Sequence, residues 1–220
     1  MPHQSIPTIT VVSIARLDVG HQLGRSLAIP IGAAALTGRL DSAAVQFTLD
    51  SFVLGPSDPA DALLAWLDQR LIDERATIAG YQLADATALL EKLPGACWSP
   101  ALRSLAGAGL QPLINLSARE LQGAVLPLHE ACAHSLICCA RADDTQRFTA
   151  WCRSDVELID RETQVDVIAT WRLIMKRLAV LNDHSSRVVS ELNEHFTAWL
   201  SGSSSDAALL HAADLAQIDS

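Results

Sequence analysis

The stretch Glu162-Thr163-Gln164-Val165-Asp166-Val167-Ile168-Ala169-Thr170-Trp171-Arg172-Leu173 decides how the fold is read. Val165, Ile168 and Ala169, continued by Met175 and Leu178, recur at helical spacing and predict a long amphipathic helix with one face on a core. Asp166 stands at the edge of that face, near the expected start of the helix. The ordinary reading is a solvated first-turn aspartate favoured by the positive end of the helix dipole. The sharper reading is a carboxylate that points into a site and binds a metal. The elements that precede the helix bear on that choice.

Three β-type stretches come first. Ile9–Leu17 is rich in Thr, Val and Ile; Ser26–Leu36 ends at Thr37-Gly38; Ala43–Leu54 alternates Val45, Phe47 and Leu49 and closes at Gly55-Pro56. They predict an antiparallel meander. A helix follows, capped by Ser57, with Asp58 and Asp61 in its first turn and Leu63, Leu64, Leu67, Leu71 and Ile72 as its buried stripe. A short strand at Ala76–Ala79, a helix at Leu83–Leu93, a loop-rich insertion from Ala96 to Gln111 and a strand at Pro112–Leu116 come next. Helices then dominate, one of them over about Arg187–Leu200 with Val188, Leu192, Phe196 and Trp199 on one side. Ser201-Gly202-Ser203-Ser204-Ser205 reads as a flexible linker to a short terminal helix capped by Asp206. The expected organisation is one domain over residues 1–200 and an appended tail over 201–220. The class is α/β, a mixed sheet with helices on its faces.

Composition narrows the function classes. The chain has 220 residues, half of them hydrophobic and 19% charged, which suits a folded domain with a sizeable core. A net charge of -9 argues against broad electrostatic capture of nucleic acid. Arg172, Lys176 and Arg177 form a local basic cluster, ordinarily a solvated helix face. Five cysteines form no disulfide-like framework, Met1–Thr10 lacks a signal pattern, and no apolar run spans a bilayer. These features predict a soluble cytoplasmic protein without a membrane partner.

The chain resembles the DnaQ-like 3'-5' exonucleases of the ribonuclease H-like superfamily, in particular the bacterial group related to the proofreading domain of family-B DNA polymerases. Three stretches carry the resemblance: Asp58–Gly80, Gly80-Tyr81-Gln82-Leu83-Ala84-Asp85, and Leu126–Ile137 with Phe148–Arg177. It implies a ribonuclease H-like mixed sheet of three antiparallel strands, then alternating helices and strands, with helices on both faces. It further implies phosphodiester hydrolysis at single-stranded or duplex ends by two Mg²⁺ or Mn²⁺ ions held by acidic residues, the hard oxygen ligands those ions prefer. The family's last acidic position falls on Asp166 and the middle one on Asp85. The first motif, Asp-x-Glu, is incomplete. Asp18-Val19-Gly20 supplies Asp18 but has Gly in place of Glu, and the alternative register, Ser13-Ile14-Ala15, has neither acid. Glu162 and Arg161 stand where the family's water-orienting Tyr or His belongs, and Gln82 is the nearest amide to its Asn. The expected metal ligands are therefore Asp85, Asp166 and Asp18. The alternative is a catalytically inactive interaction or nucleic-acid-binding module of the same fold, with a protein partner contacted through the tail helix.

Two further patterns carry less. His129, Cys132, His134, Cys138 and Cys139 are zinc-type ligands within an apolar stretch, where cysteine is ordinarily core. Of the five Trp, Trp171 is the best base-stacking candidate because it lies near Asp166.

Overall fold

The computed structural model describes residues 8–20, 27–41, 44–119, 123–141, 143–181 and 186–218. Three long strands open the chain: β1 (Thr8–Asp18), β2 (Ala28–Asp41) and β3 (Ala44–Val53). Helix α1 (Ala62–Arg70), strand β4 (Thr77–Tyr81), helices α2 (Leu83–Leu90) and α3 (Pro100–Leu105) and strand β5 (Leu113–Leu116) follow. The rest is helical: α4 (Leu128–His134), α5 (Asp144–Cys152), α6 (Val156–Leu181), α7 (Ser186–Gly202) and α8 (Asp206–Ile218). The sheet order is β3-β2-β1-β4-β5. The first three strands form the expected antiparallel meander, and β4 and β5 join parallel to β1. The expected starts of the second and third strands, Ser26 and Ala43, and the Val188 side chain lie outside the described residues.

Alternation along each strand sends successive side chains to opposite layers. Val11, Ala34, Leu36 and Ala79 face α6, α7 and α8 in one core. Val12, Ala33 and Ile78 face α1, α2 and α3 in the other. The stripe predicted for α6 is buried as expected at Val165, Ile168, Ala169 and Met175. Gly80 lets β4 pass close to β1, because a Cβ there would lie 2.5 Å from the Leu83 side chain and 2.9 Å from the Val12 carbonyl.

Three expectations are corrected. Helix α6 begins ten residues before Asp166, so Asp166 is mid-helix and gains nothing from the first-turn dipole. The serine stretch is no simple linker: α7 runs through Gly202, and the Ser205 hydroxyl donates to Gln164 on α6 at 3.0 Å. The tail helix α8 belongs to the core, with Ala207, Ala208 and His211 fully buried. Small alanines on that face let it approach α6 closely, which its own sequence does not reveal. No described helix is long and apolar enough to cross a membrane.

Candidate functional site

Parallel pairing between β1 and β4 ends at Val12 and Gly80. Beyond that point β1 runs on through Ser13–Arg16 without β4 beside it, and the gap opens a cleft at the carboxyl ends of the two parallel strands, the usual ligand position in such sheets. Gln82 makes the turn out of β4 in the left-handed conformation, φ 52°, and its Nε2 donates to the Leu126 carbonyl at 2.7 Å. The Tyr81 hydroxyl donates to the same oxygen at 2.6 Å. The first free amide of α2, that of Leu83, donates to Asn115 Oδ1 on β5. These contacts fix the first turn of α2, which carries Asp85 to the cleft rim.

The cleft encloses about 170 Å³, below the usual range of a small-molecule pocket. Asp85 and Asp166 both line it, together with Ser13, Ala15, Gln82 and Arg147. Asp18 is elsewhere. It lies at the far end of β1, where its Oδ1 accepts from the Gly20 amide at 2.9 Å and the Leu27 amide at 3.4 Å and so closes the hairpin. The β1 residues that line the cleft run from Val12 to Arg16 and include the acid-free register Ser13-Ile14-Ala15.

Asp166 is half-buried in the cleft wall, and its Oδ1 accepts from the Cys139 thiol and the Ala140 amide, both at 3.1 Å. Burial pushes its carboxyl up to about 6, against the lowering effect of the Cys139 bond, the Arg147 charge and the Ala140 amide. Cys139 remains a thiol donor: contact with the Cys132 thiol, burial and the Asp166 charge all raise its pKa far above the usual value. Arg147 comes from α5 and is itself buried. Its Nε and Nη2 donate to Glu162 Oε2 at 2.9 and 2.8 Å, and its Nη1 donates to the Arg16 carbonyl at 3.2 Å. The position expected to hold a water-orienting Tyr thus holds a carboxylate clamped by a guanidinium.

A second polar constellation lies on the α8 side of α6. Arg172 Nη1 is 2.6 Å from Asp214 Oδ2, 3.1 Å from His211 Nδ1 and 3.9 Å from Cys138 Sγ. His211 Nε2 lies 3.0 Å from the Val165 carbonyl, which assigns the proton to Nε2 and leaves Nδ1 as the acceptor. Burial lowers the His211 pKa to about 4. Burial also pushes the Cys138 thiol up to about 12, aided by the Asp214 charge. Burial opposes the Asp214 charge, but the Arg172 bond and the Cys138 amide outweigh it and hold the carboxyl below its usual range. Cys138, His211 and Asp214 have ligand atoms close enough to share a metal. Arg172 Nη1 already fills the space between them, however, so an ion would have to expel a buried cation.

The zinc-type run seen in the sequence is dispersed. Cys132 is core, Cys139 serves Asp166, Cys138 serves the α8 constellation, and His129 pairs with Glu130 at the surface. Trp171 is corrected as well. It is fully buried against Phe47 and Phe196, so no base reaches it, and its Nε1 is buried without a partner among the described residues. Arg172 is not on a solvated basic face, because α8 covers it. Sequence reading missed Arg147, Arg172, His211 and Asp214 as members of sites. One signal was present for Arg147: a lone cation three and four residues before Ala150 and Trp151, on the same helical stripe.

No family model matches the chain, and comparison with curated proteins and with solved structures gave no match.

Proposed function

We propose that the chain is a ribonuclease H-like domain on the plan of the DnaQ-like 3'-5' exonucleases, with a cleft that serves as a non-catalytic interaction surface. The observation that carries this reading is Arg147, which lines the cleft beside Asp166, is clamped to Glu162, and lowers the Asp166 pKa by its charge. Three antiparallel strands, two further parallel strands and helices on both faces support the fold assignment.

Mg²⁺ and Mn²⁺ do not fit this cleft. A two-metal centre needs several carboxylate oxygens converging on one point. Here the β1 positions are Ser13 and Ala15, Asp18 is committed to its hairpin, and Asp166 Oδ1 already accepts two hydrogen bonds. The guanidinium supplies a fixed positive charge beside the acids of the cleft, where divalent ions would otherwise offset them. The competing reading, an active metal-dependent exonuclease, draws on one observation: Asp85 and Asp166 line the same cavity.

Thermal unfolding with millimolar Mn²⁺, paired with digestion of single-stranded and duplex-end DNA and RNA, separates the two. A metal that binds only the folded state must stabilise it. We expect no shift and no digestion. Mn²⁺-dependent digestion that disappears in Asp166→Asn would sink the non-catalytic reading.

A further inference from the structure

We infer that the outer edge of β3 is a self-association surface, and that a second copy of this chain pairs with it antiparallel about a two-fold axis at Leu49.

The phase of β3 is fixed by one bond. The register of β2 and β3 continues to Leu54 and Ile31, and the Leu54 amide donates to the Ile31 carbonyl at 2.7 Å. Hydrogen-bonded and non-hydrogen-bonded pairs alternate along an antiparallel ladder. Even-numbered residues of β3 therefore bond to β2, and the odd-numbered ones, Val45, Phe47, Leu49, Ser51 and Val53, turn their amides and carbonyls to the free edge. Among the described residues, no backbone bond uses these outward groups.

Edge strands are ordinarily blunted by Lys, Pro, a bulge or shortness. Ala44-Val45-Gln46-Phe47-Thr48-Leu49-Asp50-Ser51-Phe52-Val53 has no Lys, Arg or Pro, spans ten residues, and its register with β2 is unbroken. The opposite edge, β5, is four residues long. Among the described residues, the β3 edge is thus the long one open to pairing.

Self-complementarity selects the partner. Centring the two-fold on Leu49 uses every outward group: Leu49 meets its own copy, Phe47 meets Ser51 and Val45 meets Val53. On the other face, Thr48 meets Asp50 and Gln46 meets Phe52. No like charges face each other. Shifting the axis by one residue, to Asp50, would oppose two carboxylates. Asp50, the single charge of the strand, is already offset by Arg70 at 3.4 Å, so the edge is locally neutral on a chain of net charge -9. Long-range repulsion between copies is screened by salt, so association should strengthen as ionic strength rises.

The test is sedimentation velocity of the full chain from micromolar to near-millimolar concentration, at low and high salt. A dimer favoured by salt is expected. Thr48 is exposed, so changing it spares the fold. Thr48→Glu sets a second carboxylate against Asp50 of the other copy twice per dimer and should weaken it about tenfold. Thr48→Lys pairs with that Asp50 and should leave the dimer at least as tight. A chain that stays monomeric under all these conditions, or a dimer that ignores Thr48→Glu, overturns the inference. A Thr48→Lys variant weakened as much as Thr48→Glu overturns the register.

Discussion

Two faces of one helix handle buried charge in opposite ways. On the cleft face of α6, Asp166 has no ion-pair partner among the described residues and is held by a thiol and an amide, and burial drives its pKa up to about 6. On the α8 face, Asp214 is paired with Arg172 and its pKa falls. The cation of the cleft, Arg147, is spent on Glu162 instead. A carboxylate held by a thiol and an amide is tolerated with its pKa raised. A rim carboxylate can stay fully charged and pin a buried guanidinium. The first arrangement ties Asp166 to the segment before α5, and the second fastens α8 to the domain.

The sharpest way to break this contrast is to remove a cation. Arg147→Met leaves Glu162 nearly buried and unpaired beside Asp166 and should cost about 3–5 kcal/mol in denaturant unfolding; a loss below about 1 kcal/mol would mean the clamp is not structural. The Asp166 pKa should rise further in that variant, because Arg147 holds it down.

A second comparison uses pH. The folded pKa of Asp166 is raised, so its stabilising contribution is full below its unfolded value and is lost as pH rises through about 6. The folded pKa of His211 is depressed, so its contribution is full above its unfolded value and is lost as pH falls through about 4. Each amounts to about 3 kcal/mol, and across the interval from about pH 4 to 6.5 they oppose each other. Relative to the wild-type curve, Asp166→Asn should therefore gain stability as pH rises through this interval, and His211→Gln should lose it. Parallel curves for all three proteins would contradict both burial arguments.

Arg172→Met is expected to be milder than Arg147→Met, about 1–3 kcal/mol. Asp214 keeps 24% of its side-chain surface exposed, against 14% for Glu162, and so is rehydrated more easily when its partner is lost. Equal costs for the two would show that rim exposure does not protect the α8 constellation. Hydrogen exchange should report the difference locally, with α8 amides losing protection in Arg172→Met and keeping it in Arg147→Met.

Much of the scaffold was legible because it rests on periodicity. The alternation of Val45, Phe47 and Leu49 and the helical spacing of Val165, Ile168 and Met175 are local patterns, and both formed where they lay, whereas α1 starts only at Ala62, with neither Ser57 as its cap nor Ile72 buried. The paired amide and thiol around Asp166 were not legible, since Cys139 and Ala140 lie 27 and 26 residues away in the chain. The α8 constellation joins residues as far as 76 apart.

By itself, the sequence determined most element types and the antiparallel meander; the resemblance offered three acids, of which Asp85 and Asp166 line one cleft. Only the tertiary structure decided that Asp18 stays outside it, that Ser13 and Ala15 face it, and that Arg147 enters it from another helix. It also decided that α8 is core and not tail. The physical reason is range: backbone preference and hydrophobic period act over a few residues, whereas the partner of a buried charge is chosen by whatever the packed layers bring within hydrogen-bond reach.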